Sequence, residues 1–528
     1  MNRQKNLSSL RSRNEPFDIL IVGGGATGLG TAVDAVTRGH SVALVEQSDF
    51  AKGTSSRSTK LVHGGVRYLR QGNVSLVLEA LRERGFLYRN APHLVRDQAF
   101  VIPNYHWWEG PFYGVGMKVY DALAGKLGLA PSRSLSLEQT IERIPTIETD
   151  GLTGGVVYHD GQFDDSRLAI NLAQTAVKHG AFVTNYTKCI QLLKTKDKQV
   201  CGIVGEDQET GEQFEILANC VVNATGVFAD QLRSQDDPQS PPMISASQGV
   251  HIVLPKSFLP NDAAIMVPKT ADGRVLFAVP WHDRVVVGTT DSPRPDVSLE
   301  PRALQSERDF VMEHAAKYLA QDPQPKDVLS IYAGLRPLVK SGEASDTAAL
   351  SRDHTIVVSD SGLLTVTGGK WTTYRKMAED VVDHVEILSG IEGDPCSTKN
   401  LPIAGSTIDS SPEPNLGSYG SESSKILALL GEQPQLAAPL HPNLPYQEAE
   451  VLYHARSEMA RSVEDVLARR TRALLLDAQA AIESAPRVAQ LLAEELGREA
   501  SWAENQVREF TELAKGYLFL DSSSTTPT

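Results

Sequence analysis

A glycine-rich turn near the amino terminus carries the clearest chemical signal in this 528-residue chain. Gly23, Gly25 and Gly28 have the spacing Gly-x-Gly-x-x-Gly directly after the apolar run 19–22. Glycines at this spacing let the backbone turn tightly and approach a pyrophosphate, and the N–H groups that begin the following helix attract its charge. Glu46 ends a second apolar run, where an acid accepts hydrogen bonds from a ribose diol. The stretch therefore predicts a dinucleotide site formed by Gly23, Gly25, Ala26, Thr27, Gly28 and Glu46.

A polar stretch at residues 53–69, GTSSRSTKLVHGGVRYL, follows this unit. Its hydroxyls and cations can bond phosphate groups and ring edges, and its paired glycines admit a flat ring close to the backbone. The alternative is a polar surface loop with no ligand. The cofactor-binding residues predicted here are Thr54, Ser55, Ser58, Lys60, His63, Gly64 and Gly65.

The composition limits the classes to which this protein can belong. Apolar residues make up 41% of the chain and charged residues 22%, as in soluble globular proteins, and the length calls for two or three domains. The net charge of −14 argues against nucleic acid as a partner. No apolar run reaches the ~18 residues of a membrane-spanning helix. The four cysteines lack metal-ligand spacing, so no metal site is predicted.

Four motifs together resemble those of the FAD-dependent glycerol-3-phosphate dehydrogenases, within the wider D-amino-acid-oxidase-like flavoproteins. They are GGGATG at 23–28, TSSRSTKLVHGGVRYL at 54–69, NATG at 223–226 and GGKWTTYRK at 368–376. The resemblance implies FAD as the cofactor and sn-glycerol 3-phosphate as the substrate. The implied reaction transfers hydride from C2 to flavin N5, gives dihydroxyacetone phosphate and passes the electrons to a quinone.

The resemblance also implies the fold class and the domain organisation. An α/β FAD-binding domain of the Rossmann type is expected from residues 16–100, 150–240 and 345–392. Short β-runs separated by turn residues predict an antiparallel-sheet substrate domain over 241–344, with 101–149 as its cap. Residues 400–520 are predicted to form a C-terminal helical domain, and 1–15 and 521–528 are predicted to be tails.

Two later motifs are expected to return to the flavin. The further cofactor-binding residues predicted from them are Ala224, Thr225, Gly226, Gly368, Gly369 and Lys370. The helix after this last motif would point its positive N-terminus at the flavin.

A phosphorylated substrate calls for a group of cations, because several positive charges suit a dianion and arginine forks match phosphate oxygens. The predicted substrate-binding residues are Arg67, Tyr68, Arg336, Arg352 and Lys370, all in motifs that border the flavin in the family. The alternative for any one arginine is a surface salt bridge.

The reaction also needs a group that takes the proton of the substrate hydroxyl. His63 and His251 are the candidates, because the ordinary histidine pKa lies close to neutral pH. Arg336 or Lys370 could instead polarise the hydroxyl, and the sequence leaves the choice open.

The aromatic segment 104–130 is predicted to be a core helix hairpin, with a membrane-contacting or lid surface as the alternative. A quinone acceptor implies a cytoplasmic protein attached peripherally to the inner face of the membrane, and a homodimer is one possible assembly. Three other functions remain open: a glycerol-3-phosphate oxidase that uses O2, an amine or amino-acid oxidase of the same fold, and a flavin-binding scaffold without turnover.

Overall fold

The computed structural model describes residues 1–66, 73–268, 270, 274–340, 354–409, 411 and 413–519. The strands within them are β1 (Phe17–Val22), β2 (Val42–Val45), β3 (Leu61–Val62), β4 (Val95–Asn104), β5 (Arg133–Leu135), β6 (Gly154–Phe163), β7 (Phe182–Thr184), β8 (Thr187–Lys194), β9 (Val200–Asp207), β10 (Gln213–Asn223), β11 (Ile244–Pro255), β12 (Ala264–Val267), β13 (Leu276–Trp281), β14 (Arg284–Gly288), β15 (Ser292–Pro293), β16 (Ser330–Val339), β17 (His354–Val358) and β18 (Leu364–Gly368).

The helices within the same residues are α1 (Arg3–Ser12), α2 (Ala26–Thr37), α3 (Val74–Asn90), α4 (Glu109–Ala124), α5 (Leu137–Arg143), α6 (Asp165–Lys178), α7 (Ala229–Asp236), α8 (Gln305–Ala316), α9 (Tyr374–Ser389), α10 (Ser423–Glu432), α11 (Glu448–Ser457), α12 (Ala473–Leu476), α13 (Ala478–Leu496) and α14 (Ala500–Lys515). Short helical turns at Thr54–Ser56, Trp371–Thr373 and Asp465–Arg470 bear on the site.

The first sheet has the strand order β17-β18-β10-β1-β2-β7, and β9 and β8 extend it from the start of β10. Strand β1 runs parallel to both β2 and β10. Both β1 and β2 are almost entirely buried, as parallel strands between helices are. Because parallel strands end at the same edge, the glycine-rich turn, Glu46, Ala224 and the glycines after β18 all gather there.

The second sheet has the order β15-β11-β14-β13-β12-β4-β6-β3, with β16 added to β11 and β5 added to β6. Most of its pairs are antiparallel, which confirms the kind of sheet predicted for 241–344. Strands β11 and β16 pair from Ile244 opposite Val339 to Val253 opposite Ser330. This register sets the positions of the functional side chains described below.

The structure differs from the predicted domain division at β6. Residues 150–240 were assigned to the nucleotide-binding domain, but β6 lies in the second sheet. It pairs with β4 along its whole length, from Val95 opposite Phe163 to Asn104 opposite Gly154. Ten consecutive pairs place it firmly in that sheet.

The prediction of an amino-terminal tail over 1–15 is wrong, because α1 is a docked helix. Its Leu7 and Leu10 share one face and are buried. Arg3 donates to Asp207 Oδ1 at 2.6 Å and to the carbonyl of Asn185 at 3.0 Å, so polar contacts also hold the helix. The predicted tail at 521–528 lies outside the described residues.

The prediction of a core hairpin at 104–130 is also wrong. Only Met117 and Tyr120 of α4 are buried, and its other large apolar side chains face outward or are half-buried. One narrow face of the helix packs against β4 and β6. Within the described part of the chain, no helix is long and apolar enough to cross a bilayer.

Helices α10 to α14 form the carboxy-terminal part of the chain and bury their own apolar cluster. Strand β16 packs against this cluster through Tyr332. A hydrogen bond from the Ile331 N–H to the carbonyl of Tyr517 joins the end of the helical part to the second sheet at 2.8 Å.

Candidate active site

An elongated cleft runs from the edge of the first sheet to the face of the second. Its outer part is a cavity of about 350 Å³ and its inner part a cavity of about 280 Å³. The two share Thr54, Pro337, Gly368, Gly369, Lys370 and Trp371 as lining residues. The shared wall makes them one continuous site.

The outer cavity is built on the glycine-rich turn. Gly23 has φ of +116°, and a Cβ there would lie 2.5 Å from the carbonyl oxygen of Ala224, so only glycine fits. Helix α2 begins at Ala26 with Gly25 as its N-cap, and no side chain caps it from that position. The Ala26 N–H donates to Ser55 Oγ at 3.0 Å, which brings the polar stretch against the turn.

Glu46 closes the outer cavity. Its carboxylate accepts the N–H of Gly24 at 2.7 Å and the N–H of Ser48 at 2.9 Å. Burial raises the pKa of Glu46, and these two donors oppose the rise. A carboxylate has about four lone-pair sites, so acceptor capacity remains for ribose hydroxyls.

The inner cavity is built on the pairing of β11 with β16. Arg336 Nη2 donates to Thr289 Oγ1 and to the carbonyl of Thr290, both at 3.1 Å. Arg336 Nη1 lies 3.6 Å from Asp291 Oδ1. A Cβ on Gly249 would lie 2.3 Å from Arg336 Nη2, so this glycine leaves room for the guanidinium.

His251 lies beside this arginine with its ring buried. The ring stacks on Tyr332 at 4.9 Å between centroids, and its Nε2 is 2.9 Å from Thr59 Oγ1. Within the described residues, its buried Nδ1 lacks a hydrogen-bond partner. Burial, followed by the charges of Arg336 and Lys60, holds the pKa of His251 well below its ordinary value. The imidazole is therefore neutral.

The end of β18 joins the two cavities. Gly368, Gly369 and Lys370 line both cavities and precede the turn Trp371–Thr373 and helix α9. His63 also lines the inner cavity, and its N–H donates to Thr372 Oγ1 at 3.2 Å. The polar stretch and the start of α9 are thus fastened to each other.

Most of the residues predicted from the sequence line this cleft. Those in the outer cavity are Gly23, Gly25, Ala26, Thr27, Glu46, Thr54, Ser55, Ala224, Thr225, Gly226, Gly368, Gly369 and Lys370. Those in the inner cavity are Thr54, Ser58, His63, Gly65, His251, Arg336, Gly368, Gly369 and Lys370. Arg67, Tyr68 and Arg352 lie outside the described residues.

Three of the residues predicted to bind the cofactor do not line either cavity. The Lys60 ammonium is completely buried, ion-paired to Asp165 at 2.8 Å. Gly28 packs under the turn, because a Cβ there would lie 1.9 Å from the Gly23 carbonyl oxygen. Gly64 packs on Tyr120, whose hydroxyl accepts its N–H at 2.8 Å.

Sequence reasoning missed several lining residues of the inner cavity: Arg57, Asp160, Arg274, Thr289, Thr290 and Asp291. The run Thr289-Thr290-Asp291 at the end of β14 places two hydroxyls and an acid where a strand stops, which is a usable signal. Asp160 gives no such signal, because it lies within β6. Its carboxylate is positioned by hydrogen bonds from Arg84 Nη1 at 2.8 Å and from the Tyr120 hydroxyl at 2.7 Å.

Comparison with known proteins identifies the family of this chain. The family described as FAD dependent oxidoreductase matches residues 18–375, and the C-terminal domain of alpha-glycerophosphate oxidase matches residues 396–506. The fold and the cleft thus define an FAD-dependent oxidoreductase.

Closer relatives narrow the class. The mitochondrial glycerol-3-phosphate dehydrogenase of Mus musculus is 40% identical over 98% of this chain and 75% of that protein. The mitochondrial glycerol-3-phosphate dehydrogenase SDP6 of Arabidopsis thaliana is 40% identical over 97% of this chain and 87% of that protein. The crystal structure of the Bacillus halodurans glycerol-3-phosphate dehydrogenase with FAD superimposes with a TM-score of 0.80 at 29% identity, covering 99% of both chains. This chain belongs to the FAD-dependent glycerol-3-phosphate dehydrogenase family.

The residues of the outer cavity fit FAD. The side-chain-free turn at Gly23 and the start of α2 suit a pyrophosphate, and Glu46 suits a ribose. Gly368 and Gly369 line the junction of the two cavities without a side chain, which suits a flat ring. The ring's reactive face would then meet the inner cavity.

Proposed function

We propose that this protein oxidises sn-glycerol 3-phosphate to dihydroxyacetone phosphate and passes the electrons to a quinone. Bound FAD supplies the hydride acceptor. The observation that carries the proposal is the inner cavity, which places Arg336, Lys370 and a neutral His251 around one space beside the flavin site. The names of the relatives point to the same substrate.

Arg336 and Lys370 are proposed to bind the phosphate. Hydrogen bonds to Thr289 and Thr290 orient the guanidinium of Arg336, so little side-chain entropy is lost when a dianion binds. Arg57 also lines the cavity, but Glu300 already binds it at 2.6 Å. Arg67, Tyr68 and Arg352 remain predictions of the sequence.

His251 is proposed to take the proton of the C2 hydroxyl. A base must be unprotonated before reaction, and the low pKa of His251 ensures this at neutral pH. A phosphate dianion on Arg336 offsets one of the charges that lower this pKa, so substrate binding strengthens the base. The contact of Thr59 Oγ1 with Nε2 holds the ring in the lining of the inner cavity.

Anaerobic reduction of the bound flavin tests the reaction. Glycerol 3-phosphate is expected to bleach the flavin and glycerol to bleach it poorly, because only the former offers a dianion. His251→Asn is expected to slow the reduction step by roughly 10²–10⁴-fold, the usual contribution of general base catalysis. His63→Asn is the matched comparison, and a larger decrease in the reduction rate in that variant would identify His63 as the proton acceptor. Equal reduction by both alcohols would refute the proposed substrate.

A quinone acceptor and peripheral membrane attachment are supported by the surface of α4. The exposed side chains there are Trp107 at 85%, Val115 at 67%, Phe112 at 53%, Trp108 at 46% and Val119 at 45%. Large exposed apolar patches mark lipid or partner contacts. An apolar groove of about 660 Å³ begins among these residues. Val66, Met266 and Val275 line both this groove and the inner cavity, which provides a route between the surface and the flavin site.

Reoxidation of the reduced enzyme tests the acceptor. Quinone carried in vesicles is expected to reoxidise the flavin much faster than dissolved oxygen does. A rate with oxygen that equals the rate with quinone would instead favour a glycerol-3-phosphate oxidase.

A further inference from the structure

Residues 49–57 form one wall of the outer cavity. Ala51, Lys52, Gly53, Thr54 and Ser55 line it. The N–H of Ala51 donates to the carbonyl of Gly24 at 2.9 Å, so the wall is bonded directly to the glycine-rich turn. Glu46 precedes the wall by only a few residues and bonds the N–H groups of Gly24 and Ser48. A displacement of this wall would therefore move the groups that meet the adenosine end of FAD.

The wall is anchored by two arginines of the C-terminal helical part. Asp49 is completely buried and accepts Arg469 Nε at 2.5 Å, Arg470 Nη1 at 2.6 Å and Arg470 Nη2 at 2.8 Å. Burial alone would raise the pKa of Asp49, but the charges of Arg470 and Arg469 hold it well below its usual range. Both arginines lie in the helical turn Asp465–Arg470, which contacts helix α6 as well as helices α11, α12 and α13.

Two more contacts fasten the same wall. The Lys52 ammonium lies 2.7 Å from Glu464 Oε2. At the far end, Arg57 bonds Glu300, and the Tyr517 hydroxyl donates to Glu300 Oε1 at 2.7 Å. All three anchors lead to residues beyond 460, so the C-terminal part holds the wall at both ends and in the middle.

We propose that the C-terminal helical part completes the cofactor site, with Arg469 and Arg470 acting as positioning residues that hold Asp49 and the wall in the geometry that binds the adenosine end of FAD. A buried ion pair is weak evidence for net stability, whereas a bidentate arginine–carboxylate pair adds geometric specificity. This role concerns cofactor retention and is independent of the substrate that the enzyme oxidises.

The release of FAD from the full-length holoenzyme tests this role. Arg470→Lys keeps the charge but loses the paired hydrogen bonds to Asp49, and it is expected to release FAD about tenfold faster on dilution, followed by flavin fluorescence. Glu464→Gln is a milder variant at a residue outside the cleft lining: it weakens the contacts of Glu464 with Lys52 and Arg469, and it is expected to release FAD several-fold faster. It keeps the test open if Arg470→Lys does not fold.

Arg461→Ala is the matched control. Arg461 also joins the C-terminal part to the first sheet, through Glu209 at 2.7 Å, but neither residue lines the cleft. It is expected to lower the melting temperature without changing FAD release. ADP binding to the apoprotein should weaken in Arg470→Lys by the same factor as FAD binding. Release rates equal to wild type in both Arg470→Lys and Glu464→Gln, or an equal acceleration in Arg461→Ala, would overturn the proposal.

Discussion

Gly249→Ala places a single methyl group against the proposed phosphate-binding guanidinium. Its Cβ would lie 2.3 Å from Arg336 Nη2 and 2.6 Å from Thr289 Oγ1, both far closer than van der Waals contact. The guanidinium is the flexible end of a long side chain and can move away, so the cost in folding stability is small. It cannot move without losing its bonds to Thr289 and Thr290.

The expected effect is a slower reaction with glycerol 3-phosphate. A displaced guanidinium loses at least one charge-assisted hydrogen bond to the phosphate, which contributes about 1.5–3 kcal/mol. Since about 1.4 kcal/mol corresponds to a factor of ten, kcat/KM for glycerol 3-phosphate should fall by roughly 10–150-fold. The weak reaction with glycerol should be unchanged, because glycerol has no phosphate for Arg336 to bind.

Anaerobic stopped-flow reduction over a range of substrate concentrations measures both effects, and flavin content checks that the cofactor site is intact. Gly205→Ala is the control, because its Cβ would have no neighbour nearer than 3.5 Å and β9 lies away from the cleft. A Gly249→Ala enzyme with full flavin content and unchanged kcat/KM would show that Arg336 does not bind the phosphate.

Three further expectations can be measured. Burial raises the pKa of Glu450 from 4.5 to about 7 in the folded protein. The stability gained by holding this proton is fully present below about pH 4.5 and is lost as the pH rises through about 7. Relative to Glu450→Gln, the wild type should lose roughly 2–3 kcal/mol of unfolding free energy between about pH 5 and about pH 8. Urea unfolding that gives the same difference in unfolding free energy between the two proteins at both pH values would contradict this. Replacing Trp107 and Trp108 by Ser should reduce flotation with anionic vesicles while the flavin content stays constant. Unchanged flotation would show that these two residues do not contact the membrane. Acid precipitation should release the flavin to the supernatant, since none of the cysteines lines the junction of the cavities, and a yellow pellet would show a covalent link.

Local motifs made the nucleotide end of the site predictable. The turn at Gly23 and the acid at Glu46 act through the backbone conformation and hydrogen bonding of adjacent residues, so a short stretch of sequence contains the whole arrangement. The same stretch also shows the limit of this reasoning. Lys60 lies in the predicted motif but points into a buried pair with Asp165, and a sequence pattern does not show which way a side chain faces.

Pairing between distant strands decided the substrate end. Arg336 and His251 are candidates by type, but only the register of β11 with β16, and the gap left by Gly249, places them together. Burial beside Arg336 then lowers the pKa of His251, a property of the assembled cavity and not of the residue.

The sequence alone determined the cofactor class, the order of the motifs and the helical character of the C-terminal part, because each depends on local composition and spacing. Only the tertiary structure decided that Trp107, Trp108 and Phe112 are exposed at the start of α4 and that α1 is docked, since burial depends on what the rest of the fold covers. It also decided that Asp49 and Arg469, 420 residues apart, meet in one ion pair behind the cofactor cleft. No local pattern contains such a contact, because its energy arises only when the complete chain has brought both charges out of water.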